Sequence, residues 1–238
     1  MIEFAFNKTV CKPDGPAVLR FEGVLAPGER VVIFGESGAG KSTLLRMLAG
    51  LDRPDAGFLS VGGEVWYDSR KGISMPTQRR DIGMVFQDSA LFPNLTVRQN
   101  VEFGVPPGAP SGWVDELLEA TGLAGLATRD PRRISGGQAQ RVALARAAAR
   151  MPRLLLLDEP MTSLDPVLRH KLQSLVLGLH ERLGCVTVLV SHDLAEIERF
   201  GGRILWIHDN QLRPVEGTRE LVSLAPGLKE VAPRFLQE

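Results

Sequence analysis

Gly35-Glu36-Ser37-Gly38-Ala39-Gly40-Lys41-Ser42-Thr43 is the stretch that most limits what this chain can become. An apolar run, residues 31–34, precedes it, and Leu44, Leu45, Met47 and Leu48 follow at helical spacing. The pattern predicts a strand, a glycine-rich turn and a helix, the context in which G-x-x-x-x-G-K-S/T closes around a phosphate. The glycines let successive backbone N–H groups curve about an anion, and the helix start adds its dipole. Lys41 is then placed to reach β- and γ-phosphates, and the Ser42 hydroxyl to complete a Mg²⁺ shell.

A chain of 238 residues can bury one large core, with or without a subdomain. Its 28 basic and 28 acidic residues cancel, so net charge offers no pull toward nucleic acid or an anionic membrane. Cys11 and Cys185 are too few for a disulfide scaffold or a zinc cluster. The N-terminus lacks a basic segment followed by an apolar stretch, so no signal peptide is expected. No window approaches the length of a membrane-spanning helix, and any membrane role must come through a partner.

Ahead of the loop, residues 2–6 and 18–25 read as two antiparallel edge strands joined by a turn over 12–16. The first helix is expected over 41–49, ended by Gly50. Residues 58–67, broken at Gly62-Gly63, suggest a hairpin, and 70–80 a loop. Residues 82–86 form an apolar strand followed by Gln87, which has no packing reason to be there. Leu91, Phe92, Leu95 and Val97 lie in a loop leading to a short helix and predict a docking surface. A helix over 113–121 follows a proline- and glycine-rich break.

Ser135 is a good N-cap for the helix after it, whereas Gly136 and Gly137 cost propensity in its first turn. Their use is to open backbone N–H groups toward an anion. Residues 154–157, all leucine, predict a buried parallel strand that ends in Asp158-Glu159. Carboxylates at that end of a strand sit where α/β sheets bind ligands. Asp158 would hold the metal ion, and Glu159 is the natural general base. Asp165-Pro166 start another helix, and strand 186–190 delivers Ser191-His192-Asp193. His170, His180 and His208 read as surface or packing residues. Residues past Glu216 suggest a short helix and a loosely specified end.

Over almost its whole length the chain resembles the ATP-binding cassette (ABC) ATPases. Residues 35–43 match the Walker A motif, 153–159 Walker B, and Gln87 the Q-loop. Ser135-Gly136-Gly137-Gln138 match the signature, with Ile134 for the usual leucine; Ser163-Leu164-Asp165 match the D-loop and His192 the switch histidine. The resemblance implies an α/β P-loop NTPase fold of the ABC ATPase type, as a single domain over 1–238. A RecA-like core (1–87 and 151–238) would carry an antiparallel β subdomain and an inserted helical signature subdomain (about 88–150); the sequence stops at Glu238, so no C-terminal regulatory domain is expected. It implies ATP and Mg²⁺ as cofactors. Gly35, Glu36, Ser37, Gly38, Ala39, Gly40, Lys41, Ser42 and Thr43 would bind the nucleotide in one chain. Ser135, Gly136, Gly137, Gln138 and Asp165 would act across a head-to-tail dimer of identical chains. Glu159, His192 and Gln87 would be catalytic, and Ser42, Gln87 and Asp158 metal ligands.

The family usually stacks adenine on an aromatic residue, where this chain has Cys11, Lys12 and Pro13. Residues 79–103 look like bacterial importer ATPases, and residues 68–73 with Pro76 and the run 86–93 are similar to those for molybdate in particular. This implies a peripheral subunit on the cytoplasmic face of the bacterial inner membrane. It would meet a permease near 91–97 and, through it, a solute-binding protein, with no nucleic acid partner. Other cargoes (sulfate, phosphate, a metal chelate, an amino acid) and an exporter role are the competing readings.

Overall fold

The computed structural model describes residues 1–12, 15–162 and 164–224. In chain order it opens with β1 (Ile2–Lys12), β2 (Gly15–Leu25), β3 (Arg30–Gly35) and α1 (Lys41–Ala49). Next come β4 (Ala56–Val61), β5 (Glu64–Asp68), β6 (Ile73–Ser74), β7 (Ile82–Val85), α2 (Val97–Glu102), α3 (Trp113–Ala120) and α4 (Gly136–Ala149). The chain continues with β8 (Leu154–Asp158), α5 (Pro166–Leu183), β9 (Val186–Val190), α6 (Leu194–Phe200), β10 (Arg203–His208), β11 (Gln211–Val215) and α7 (Gly217–Leu224). Two compact units divide it: one comprises residues 1–80 with those from 188 onward, the other residues 81–187.

In the first unit the strand order is β6-β5-β4-β1-β2-β11-β10-β3, with residues 188–190 of β9 beyond β3. β1 and β2 pair antiparallel along their whole length, from Ile2 opposite Leu25 to Lys12 opposite Gly15. They are therefore not the edge strands expected from the sequence. β4 pairs with β1 and β11 with β2, using partners remote in sequence that no local pattern announces. Alternation decides which face is dry: Ile2, Phe4 and Phe6 are buried, as are Leu19, Phe21 and Leu25. β3 lies parallel to β10, and α1 buries Leu44, Leu45, Met47 and Leu48. Each such side chain contributes about 1.5–3 kcal/mol, which fixes the helix that starts at the loop.

The expected loop over 70–80 holds β6 and a 3-10 turn, Thr77–Arg79, because Arg80 beyond it is drawn into the interior. The expected turn over 12–16 is tighter than read: Lys12 and Gly15 are already paired, and Pro13 and Asp14 lie outside the described residues. Helix α6, which no sequence signal had suggested, starts on an Asp193 cap.

In the second unit β7 and β8 pair parallel, Ile82 opposite Leu154. α4 packs on β7 so closely that a Cβ at Gly83 would stand 2.4 Å from the Ala147 carbonyl oxygen. α4 also packs against α2, α3 and α5. His180 of α5 is buried, its Nδ1 2.9 Å from the Thr187 hydroxyl, so it is a packing residue. Among the described residues no helix is long and apolar enough to cross a membrane. The expected helix past Glu216 is α7; residues 225–238 lie outside the described residues.

Candidate functional site

The first unit carries the glycine-rich loop. All of β3 beyond Arg30 is buried, and the chain leaves it at Gly35 to turn through Glu36, Ser37 and Gly38, which are exposed. The Ala39 N–H closes the turn on the Glu36 carbonyl at 3.1 Å, and Leu44 begins the helical bonds on Gly40 at 2.9 Å. Gly40 has φ 103°, a conformation that strains any residue with a Cβ, and a Cβ there would also press on Leu19 Cδ1 at 2.8 Å, so the position favours glycine. Lys41 is 7% exposed, and its ammonium donates to the Gly35 and Glu36 carbonyls at 2.9 and 3.0 Å. That aims the charge into the loop's mouth. Ser42 is exposed and Thr43 half-buried in the first turn of α1.

His192 belongs to the same unit and is exposed between Ser191, which is buried, and Asp193. The Ser191 N–H donates to the Ile33 carbonyl at 3.3 Å, fastening this corner to the strand that feeds the loop. A cleft of about 590 Å³ runs beside the loop, lined among others by Lys12, Pro16, Glu36, Ser37, His208 and Asn210. Where an aromatic residue was missed in the sequence, Lys12 Nζ donates to Asn210 Oδ1 at 2.7 Å, and Cys11 is exposed. A second cleft of about 640 Å³, on the antiparallel sheet around Asn7, Arg20 and Asp68, contains none of the motif residues.

The second unit carries the carboxylates. Asp158 is 8% exposed at the end of a strand whose residues are all buried. Glu159, the next residue, has φ 44°. A glutamate in this left-handed region is strained by about 1–2 kcal/mol. The conformation turns it out of the strand direction, and the Thr162 hydroxyl donates to its Oε2 and to its main-chain carbonyl, each at 3.2 Å. Thr162 is a contact that sequence reading missed; a hydroxyl just past Walker B was the available signal.

Gln87 is exposed past β7. The segment after it is fastened to α4: Ser89 Oγ donates to the buried Gln140, and Arg146 donates to the Ser89 and Ala90 carbonyls. Ser135 caps α4 as expected, within a full capping box. Gln138 is the reciprocal half of that box, its Oε1 accepting from the Ser135 N–H at 2.8 Å, so this chain's own helix occupies it. Gly136 and Ser135 are exposed and Gly137 is buried, its Cβ position 3.1 Å from Leu168 Cδ1. Asp165 caps α5, accepting from Val167 and Leu168 N–H at 3.0 Å each; Ser163 lies outside the described residues.

The expected apolar surface is only partly outward. Val97 is fully buried in the first turn of α2, and Leu91, Phe92 and Leu95 are half-buried. Asn100, with no exposure, holds the loop by accepting from the Phe92 N–H and donating to the Phe92, Leu95 and Thr96 carbonyls. Phe103 takes the exposed place instead: it is 67% exposed, with its ring 4.4 Å from that of Phe92.

The family described as ABC transporter matches residues 20–162, from β2 through Thr162. Molybdenum import ATP-binding protein ModC 2 of Bradyrhizobium diazoefficiens is 46% identical over 170 residues, 71% of this chain and 19% of that protein. Sulfate/thiosulfate import ATP-binding protein CysA of Mycobacterium bovis is 44% identical over 197 residues, 81% of this chain and 54% of that one. This chain thus spans only part of these curated relatives. The ATP-binding cassette MJ0796, solved as a dimer bound to ADP and Pi, matches with a TM-score of 0.76 at 32% identity, covering 91% of this chain and 98% of that one. The phosphate-type loop, the carboxylates at the end of β8 and the capped glycine-rich helix lie on a P-loop α/β fold of the cassette type, and the chain belongs to the ABC transporter family.

Proposed function

We propose that this chain is the ATP-hydrolysing subunit of an ABC importer for molybdate or a related oxyanion. The observation that carries the hydrolytic part is Glu159, a non-glycine residue held at positive φ directly after a buried aspartate. Strain of this kind persists where a site needs the side chain aimed. In this reading the loop N–H groups and Lys41 hold the phosphates, Glu159 orients and deprotonates the attacking water, and His192 contacts the γ-phosphate. A second copy supplies Ser135, Gly136, Gly137 and Asp165 to each nucleotide.

The donors Ser42, Gln87 and Asp158 are all oxygen groups, as a hard divalent ion requires. Magnesium, when bound, neutralises charge on the β- and γ-phosphate oxygens.

The cargo reading is supported by the names of two relatives, one for molybdenum import and one for sulfate/thiosulfate import. Docking to the permease is assigned to Phe103 and Phe92, with Arg146 5.3 Å from the Phe92 ring centre. Phe103→Glu is expected to abolish co-purification with the membrane subunits and to leave ATP turnover by the chain alone within about twofold, since this exposed side chain covers no core. Retained co-purification would move the interface elsewhere.

The test of the whole reading is extraction of the native complex in mild detergent, with bound elements measured by mass spectrometry. A permease with molybdenum or tungsten is expected. A permease with neither overturns the molybdate assignment, and the absence of any membrane partner overturns the importer reading.

A further inference from the structure

We propose that the buried Glu196 carboxylate is a positioning residue for His192, acting through the Ser191 hydroxyl. The inference rests on the reading that His192 contacts the γ-phosphate. Glu196 is 6% exposed and Ser191 2% exposed. Ser191 Oγ donates to Glu196 Oε2 at 2.6 Å and accepts from the Asp193 N–H at 3.1 Å.

A serine hydroxyl has one proton to give and lone pairs to receive with. Committing the proton to Glu196 turns a lone pair toward the Asp193 N–H, so the carboxylate sets the direction in which the hydroxyl can hold the backbone. On the other side of His192, the Ser191 N–H is bound to the Ile33 carbonyl at 3.3 Å, in the strand that ends at Gly35. His192 is thus an exposed side chain on a backbone pinned on both flanks, with one flank tied to the strand feeding the phosphate loop.

Helix capping does not explain the arrangement. Asp193 Oδ1 already accepts from the Ala195 and Glu196 N–H groups at 2.8 and 3.2 Å. A carboxylate buried this far is costly unless its hydrogen bonds hold it. Here one of them is short and directed at the residue adjoining His192, where a shift of about 1 Å can cost on the order of a hundredfold in rate.

The experiment measures kcat and KM for ATP on the full chain, at concentrations where turnover per chain is constant. Glu196→Ala and Ser191→Ala are each expected to lower kcat about ten- to hundredfold, with KM changed by less than about twofold. Glu196→Gln, whose amide oxygen can accept the same hydrogen bond, is expected to recover most of kcat. In a His192→Ala background, Glu196→Ala is expected to cost less than about a further twofold, because the residues act as one unit.

Wild-type kcat in Glu196→Ala, or an equal loss with and without His192, overturns the positioning role. Wild-type turnover in His192→Ala alone overturns the reading of His192 beneath it, which separates the two failures. If Glu196→Ala does not fold, Ser191→Ala and Glu196→Gln make the same comparison with the carboxylate site filled.

Discussion

Replacing Glu159 by glutamine is expected to lower ATP turnover by about 10²- to 10⁴-fold while nucleotide still binds. Glutamine keeps the shape and can still accept from the Thr162 hydroxyl that reaches Oε2 and the main-chain carbonyl. What it loses is the ability to take a proton from water. In the proposed reading the nucleotide is held by residues 35–43, by His192 and by a second copy's glycine-rich helix, none of which the substitution touches, so ATP affinity measured by equilibrium binding is expected to stay within about threefold of the parent. The strained backbone separates function from stability. At φ 44° glycine is the residue the chain would accept most easily. Glu159→Gly is therefore expected to be no less stable than the parent and as inactive as Glu159→Gln. A glutamine variant with near-normal turnover would remove Glu159 as the base, and a glycine variant that unfolds would mean its side chain serves the fold instead.

What the sequence revealed about this molecule was local. β3, α1 and the Gly50 stop could be read because strand, turn and helix follow one another within a few residues, each with its own pattern. The all-leucine strand and the Ser135 cap were legible for the same reason. The capping use of Gln138 is legible too, since Ser135-x-x-Gln138 spells a capping box. Other features depend on partners distant along the chain. That β1 and β2 lie inside the sheet follows from their pairing with β4 and β11. The positive φ of Glu159 and the Ser191–Glu196 contact have no sequence signature, because glutamate is common in helix first turns and serine is common everywhere. The apolar residues of the loop before α2 are legible in the sequence, but which of them point outward depends on Asn100, whose hydrogen bonds hold the loop: Val97 is buried and Phe103 is exposed.

Arg80→Ala is expected to destabilise the chain by about 3–5 kcal/mol, because it leaves several buried main-chain carbonyls without their charged donor, each at a cost of about 1–3 kcal/mol. Arg80 is 3% exposed, and its guanidinium donates to the Leu48 carbonyl at 2.9 Å, the Met47 carbonyl at 3.3 Å and the Met75 carbonyl at 3.1 Å. Two of these carbonyls belong to the last turn of α1, where a cation also opposes the negative end of the helix dipole. The arginine passes so close to Gly50 that a Cβ there would lie 2.4 Å from Cζ, and its charge sits 5.7 Å from the centre of the Trp66 ring. Burial pushes the Arg80 pKa down to about 10, so the group stays charged at neutral pH and its desolvation is a real cost. The sign of the net effect is decided by what deletion leaves behind: main-chain carbonyls at a helix end with their donor gone. For a chain of this size the loss corresponds to a drop in melting temperature of about 10 °C. Arg80→Lys should restore less than half of it, since an ammonium cannot span the same carbonyls as a fork. Arg80→Met separates charge from volume: it fills the space and leaves the carbonyls unpaired, so it should stay well below the parent. A methionine variant as stable as the parent would mean that desolvation cancels the hydrogen bonds, and that the helix leading from the phosphate loop is held by apolar packing alone.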